Sequence, residues 1–306
     1  MTDDEQGWLD RVREREEWAR NRIDAKRGRL VPDRHQQPDF FVADFLDALP
    51  KDDTASMEHP IFALQSGDRR VRVYEHNGVT VRIEPGYNGC ATIHDKDLWI
   101  FAISQLVLAA DEGRRLSRTV RFTAHDFLVS TNRQTSGQGY KLLTAALNRL
   151  AGTRIETNIA TAELKEKAGF GLVDSWRVVE RSNERMVALE MTLPDWLFRA
   201  VEARQVLTIS RDYFRIRRPL DRRIYELARK HCGAQPKWSV SMTVLYKKTG
   251  ATAALRNFRV DVRELAATND LPGYTVHHDP DNDLVTFRPR EKPGAHRSTT
   301  VALEIT

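Results

Sequence analysis

One strand–helix–turn–helix pattern, written twice along 306 residues, predicts an α+β fold of two tandem units, with extra β-strands in the first. The first copy runs from Arg118 to Thr131, through a Gly-containing turn, to Tyr140–Ala151; the second runs from Lys237 to Lys248, through a Thr-Gly turn, to Ala253–Ala267. The helices after the turns share one spacing. Tyr140, Leu143, Leu147 and Leu150 recur at intervals of three, four and three, and so do Leu255, Phe258, Val262 and Leu265. Each set makes a single apolar stripe that can dock on its own domain. Each copy is then followed by two β-like segments. That order describes two tandem winged helix-turn-helix domains, whose second helix is shaped to lie in a DNA major groove.

The elements divide the chain into four parts. Residues 1–38 mix both charges densely (Arg11, Arg13, Glu14, Arg15, Glu16, Glu17) and read as a charged arm, helical or flexible. Residues 39–205 form the first domain. In it, β-like runs flank His76-Asn77-Gly78, a hairpin signal. Asp97 opens a helix that is apolar on nearly every side (Leu98, Trp99, Ile100, Phe101, Ile103), as a buried spine or a subunit contact would be. Thr123 and Asp126 cap the short helix. Thr153–Ile159, Gly171–Val179 and Met186–Thr192 are strand-like and supply a wing with its supporting sheet. Arg204–Arg218 reads as an arginine-rich linker into the second domain, 206–290. There Pro219 starts a helix ending at Gly233, and Asp279–Asp283 turns between two wing strands. Residues 291–306 read as a flexible tail.

Charge is modest in total, +5, but uneven. From Arg114 to Arg154 eight Lys/Arg stand against one acidic residue, from Arg204 to Lys230 nine against three, and from Lys237 to Arg263 six against one. Clusters of that sign suit a phosphate backbone. Two cysteines, Cys90 and Cys232, allow neither a disulfide framework nor a zinc quartet. The longest apolar run, Leu98–Ile103, falls far short of the ~20 residues that span a bilayer. With no secretory signal pattern, the expectation is a cytoplasmic bacterial protein without membrane contact.

Opposite the apolar stripes lie Gln138, Lys141, Thr144 and Asn148 in the first helix, and Arg256, Asn257, Arg259 and Arg263 in the second. Arg and Lys can read guanine, and Asn and Gln adenine, so these are the candidate base readers. Arg118, Arg121, Lys247 and Lys248 flank the short helices, where register-setting phosphate contacts arise. Arg154, His277 and His278 fall on the expected wings. No G-x-x-x-x-G-K-[ST] is present, and Gly137-Gln-Gly-Tyr-Lys141 reads as a turn entering a helix. A nicking enzyme would place two histidines on one face of a strand, whereas His277 and His278 are adjacent and point to opposite faces. No enzyme, cofactor or metal is expected.

Several strings carry a family likeness: Phe40-Phe-Val-Ala-Asp-Phe45, Met57-Glu-His-Pro-Ile-Phe62, Tyr74-Glu-His-Asn-Gly78, Ala91-Thr-Ile-His-Asp-Lys-Asp97, Thr119-Val-Arg-Phe122, Leu150-Ala-Gly-Thr-Arg-Ile155, Asp174-Ser-Trp176 and Arg222-Arg-Ile-Tyr-Glu-Leu-Ala-Arg-Lys-His231. With them the chain resembles the plasmid replication initiator protein A family and, in layout, iteron-binding initiators with tandem winged helices. The resemblance implies binding to direct repeats of double-stranded origin DNA and opening of adjacent AT-rich duplex. It also implies recruitment of the host initiator and replicative helicase, and a homodimer that represses its own gene. It assigns the principal groove contacts to the second domain, and to the first both DNA contact in monomers and dimerisation, for which the Asp97–Glu112 helix or its surrounding sheet is a candidate. A tandem winged-helix repressor, or a scaffold binding DNA without sequence preference, would share the physical features.

Overall fold

A computed structural model describes residues 49–76, 78–159, 168–180 and 186–290. The expected arm at 1–38 and tail at 291–306 lie outside these, as do Asn77 and the segments 160–167 and 181–185.

The first unit contains β1 (Lys51–Asp53), α1 (Thr54–Glu58), β2 (Arg72–His76), β3 (Val79–Glu84), α2 (Asp97–Asp111), β4 (Thr119–Phe122), α3 (Ala124–Ser130) and α4 (Gly137–Gly152). It continues with β5 (Arg154–Thr157), β6 (Ala168–Gly171), β7 (Ser175–Glu180), β8 (Met186–Thr192) and α5 (Asp195–Glu202). The second contains β9 (Val206–Thr208), a 3-10 turn (Arg211–Arg215), α6 (Pro219–His231), β10 (Trp238–Ser241), α7 (Met242–Thr249), α8 (Leu255–Thr268), β11 (Tyr274–Asp279) and β12 (Leu284–Pro289). All strand pairings between these elements are antiparallel, and the fold is α+β.

The duplication extends to the sheets. In the first unit the order is β4-β8-β7, in the second β10-β12-β11: the opening strand lies at an edge and the last strand in the centre. One expected strand belongs elsewhere. Residues 154–157 pair with β3 and β6 in a separate sheet of order β2-β3-β5-β6, with Ile155 opposite Ile83. Both isoleucines are buried, so burial of β5 against β3 withdraws this segment, and Arg154 with it, from the β7–β8 hairpin where the wing was expected.

Helix α2 is the shared spine. Trp99, Phe101 and Ile103 enter the first core, where Phe101 packs 4.7 Å from Phe122 and 5.5 Å from Phe127. Ile100 enters the second core with Tyr213, Phe258 and Phe287. Leu98, Trp99, Ile100, Phe101 and Ile103 are each no more than 1% exposed, so the chain's own cores cover the first half of the helix, while Gln105, Leu108, Ala109 and Ala110 are half-buried and Asp111 is exposed. The arginine-rich segment expected as a linker is also structural: β9 pairs with β1, and Tyr213 and Phe214 of the 3-10 turn are buried.

Between the units runs a seam of buried charges. Lys96 Nζ lies 2.7 Å from Asp52 and 3.0 Å from Glu226, all three nearly inaccessible. Arg222 reaches Asp97 at 2.6 Å. Arg223 pairs with Glu226 at 3.0 Å and donates to the carbonyls of Ser56, Met57, Glu58 and Lys248. Burial alone would neutralise Lys96, but Asp52 and Glu226 outweigh it and hold the ammonium charged. A buried ion is tolerated only when paired and hydrogen-bonded, as these are.

Candidate nucleic-acid interface

Each second helix is fixed by its own sequence. In α4 the stripe Leu143, Ala146, Leu147 and Leu150 is buried, and in α8 Phe258, Val262 and Leu265. A β-carbon at Gly139 would meet the Gln134 carbonyl oxygen at 1.8 Å, so only glycine lets the turn close onto the start of α4. Thr123 caps α3 by accepting from the Asp126 amide at 3.0 Å. Ser241 does the same for α7, accepting from the Val244 amide at 3.3 Å. Gly250 ends α7 in the left-handed region, φ 68°.

The polar faces point outward. Gln138, Lys141 and Asn148 are exposed along α4; Thr144 is half-buried and donates to the Tyr140 carbonyl at 3.3 Å. On α8, Arg256, Asn257 and Arg263 are exposed. Among the described residues Lys141, Arg256 and Arg263 have no ion-pair partner, so their charges face solvent. Arg259 is different: it bonds Asp283 in the β11–β12 turn at 2.7 Å and holds that carboxyl below its usual range. It braces the helix against the hairpin.

The expected phosphate contacts separate in the same way. Arg118 is engaged with Asp174 at 2.9 Å and Asp195 at 3.1 Å, and Arg121 with Glu190. Lys248 is half-buried against Glu58, whereas Lys247 is exposed. His277 is exposed on β11; the imidazole of His278 is buried, 3.7 Å from Asp283. Arg154 is exposed, but on the four-stranded sheet.

A profile of the family described as replication initiator protein A matches residues 51–276. The chain belongs to that family. This initiator is also 42% identical, over 257 residues, to a "Putative replication protein" of Wigglesworthia glossinidia brevipalpis, covering 82% of this chain and 94% of that protein. Its fold is similar to crystal structures of domains 2 and 3 of RctB. A selenomethionine derivative gives a TM-score of 0.57 at 13% identity, over 78% of this chain and 99% of the other. A second gives 0.52 at 11% identity, over 78% and 97%. At those identities the likeness is one of fold.

Two further cations of the initiator are not among the contacts expected from the sequence, although Lys237 opens one of its basic clusters. Lys237 beside β10 and Arg288 on β12 are exposed, with no ion-pair partner among the described residues. Neither sits on a periodic stripe, so only the strand pairing brings them to the sheet that supports α8. Asp283 was readable only as a turn residue; its grip on Arg259 spans 24 positions of sequence.

Proposed function

We propose that this initiator binds direct repeats in a plasmid replication origin, each unit a winged helix-turn-helix that lays α4 or α8 in the major groove. One observation carries the reading: the same strand order in both units presents helices whose outward faces hold Lys141, Arg256 and Arg263, without ion-pair partners among the described residues. Unpartnered cations on a groove-sized helix suit guanine edges and phosphates, and their release of counterions drives association. Lys247 and Lys237 add charge beside the second unit.

The mechanism is binding and duplex distortion, with no covalent step on the DNA. Gripping two successive groove segments helps unwind adjacent AT-rich sequence and marks the site for the host initiator and the replicative helicase. A homodimeric form binds the operator of its own gene.

The test is footprinting with a salt-dependent titration of the full chain on origin and random duplex. A discrete array of protected repeats is expected, with affinity on the order of 10³-fold or more above random DNA. Equal affinity for both, without discrete protection, would make the chain a non-specific scaffold and overturn the reading.

A further inference from the structure

Val260 stands in water at the middle of α8. It is 60% exposed. With Arg256 and Arg263 it forms one outward strip at i, i+4 and i+7, opposite the buried stripe of Phe258, Val262 and Leu265. Folding gives no reason for valine there. A β-branched side chain loses χ1 freedom in a helix and is a poorer helix former than alanine or lysine. An exposed position that breaks the local rule without gaining packing is a place to look for function.

The major groove offers a partner of matching chemistry. Its one apolar feature is the C5-methyl of thymine, which small apolar side chains contact. At about 1.5 Å of rise per residue, Val260 lies roughly 6 Å along the helix from Arg256 and 4.5 Å from Arg263. Those spans correspond to about two base-pair steps or fewer. The bond from Arg259 to Asp283 braces the flank of the helix and keeps this strip outward. The cationic neighbours also fix the choice of occupant: an apolar protein groove would not accommodate a valine flanked by two free guanidiniums, whereas a DNA groove accepts both. In the first unit the matching register position, counted from Tyr140 as Leu255 is counted here, holds another aliphatic residue, the half-buried Ala145.

We propose that Val260 reads the 5-methyl group of a thymine lying between the bases contacted by Arg256 and Arg263. It determines specificity at a base pair where no hydrogen bond is made. The inference rests on the DNA-reading function proposed above.

Single-atom-group substitution in the DNA tests it. Each thymine of a footprinted repeat is replaced in turn by deoxyuridine, which removes only the methyl group. The full-length wild type should bind one such duplex about three- to tenfold more weakly, as expected for one buried methyl. Val260→Ala, which favours the helix but withdraws both γ-methyls from the groove, should show a smaller penalty than the wild type, and Val260→Thr should keep the discrimination. Wild-type binding that tolerates uracil at every position, with the footprint intact, overturns the assignment. So does a Val260→Ala variant that retains the wild-type penalty. Failure to protect any repeat would instead bring down the DNA-reading function itself, and this assignment with it.

Discussion

Arg222 and Arg256 carry the same guanidinium in opposite surroundings. Arg222 is 3% exposed and bound to Asp97, while Arg256 is exposed and unpartnered among the described residues. Neighbours, more than residue type, therefore sort the arginines into those that hold the fold and those left for a ligand. Arg259 belongs with the first group through Asp283, although it shares a helix with Arg256 and Arg263. Substituting Arg256 or Arg263 by alanine should weaken binding to a cognate repeat by about 1–3 kcal/mol and relax preference at one base pair. Arg259→Ala should weaken cognate and random DNA more evenly, by loosening the helix on its hairpin. Titrating each variant against a set of single-base-pair changes distinguishes the two. Equal sensitivity of all three to the DNA sequence would show that Arg259 leaves Asp283 to read bases.

The turn between α7 and α8 is also where the second unit touches the first. Gly250 sits at φ 68°, and a β-carbon there would lie 2.6 Å from Pro60 Cβ and 2.9 Å from the Tyr74 hydroxyl. Gly250→Ala combines a left-handed backbone penalty of about 1–2 kcal/mol with that collision. Its expected effect is a lowered melting temperature together with altered protection of adjacent half-sites. A melting temperature within error of the wild type would show that the turn yields freely. The position of this glycine was legible in the sequence, as were the periods of both second helices, the capping threonine at 123 and the Pro219 helix start. All are local signals. What escaped depends on distant partners: β5 reads as a wing strand until Ile155 is seen opposite Ile83, and β9 reads as linker until it pairs with β1. Charges mislead most. Arg222 and Arg223 count in the sequence toward a cluster suited to a phosphate backbone, and their burial, with that of Glu226 and Lys96, follows only from mutual pairing across the seam. For the same reason, the residue types on α8 could be read from its sequence but the engagement of Arg259 could not.

At the scale of the whole molecule, the groups in and around that seam make the stability of the fold sensitive to protons. His59 and His94 border it, and burial depresses both to about 4, with Arg223 opposing a charge on the first and Arg222 on the second. Each imidazole binds a proton more readily in the unfolded chain, so its contribution is complete above about 6.5 and is lost as pH falls toward about 4. Glu58 works in the same direction at lower pH. Burial opposes its charge, but His231 and Lys248 overcome this and hold its carboxyl well below the usual range. Asp221 opposes them: burial lifts its carboxyl to about 6, so its stabilisation is present in acid and fades as pH rises from about 4 to 6. Burial raises the carboxyl of Asp52 in the seam as well, in the same sense as Asp221, so the histidines' share is the part that substitution must isolate. The histidines should therefore lower the melting temperature between about pH 6.5 and 4.5 and add nothing to its slope at pH 7–8. Replacing both His59 and His94 by glutamine should remove that contribution, in a thermal denaturation series run at constant ionic strength. A wild-type melting temperature that rises relative to that variant as pH falls over the same interval would mean that these imidazoles take up protons in the folded seam, the reverse of what their burial requires.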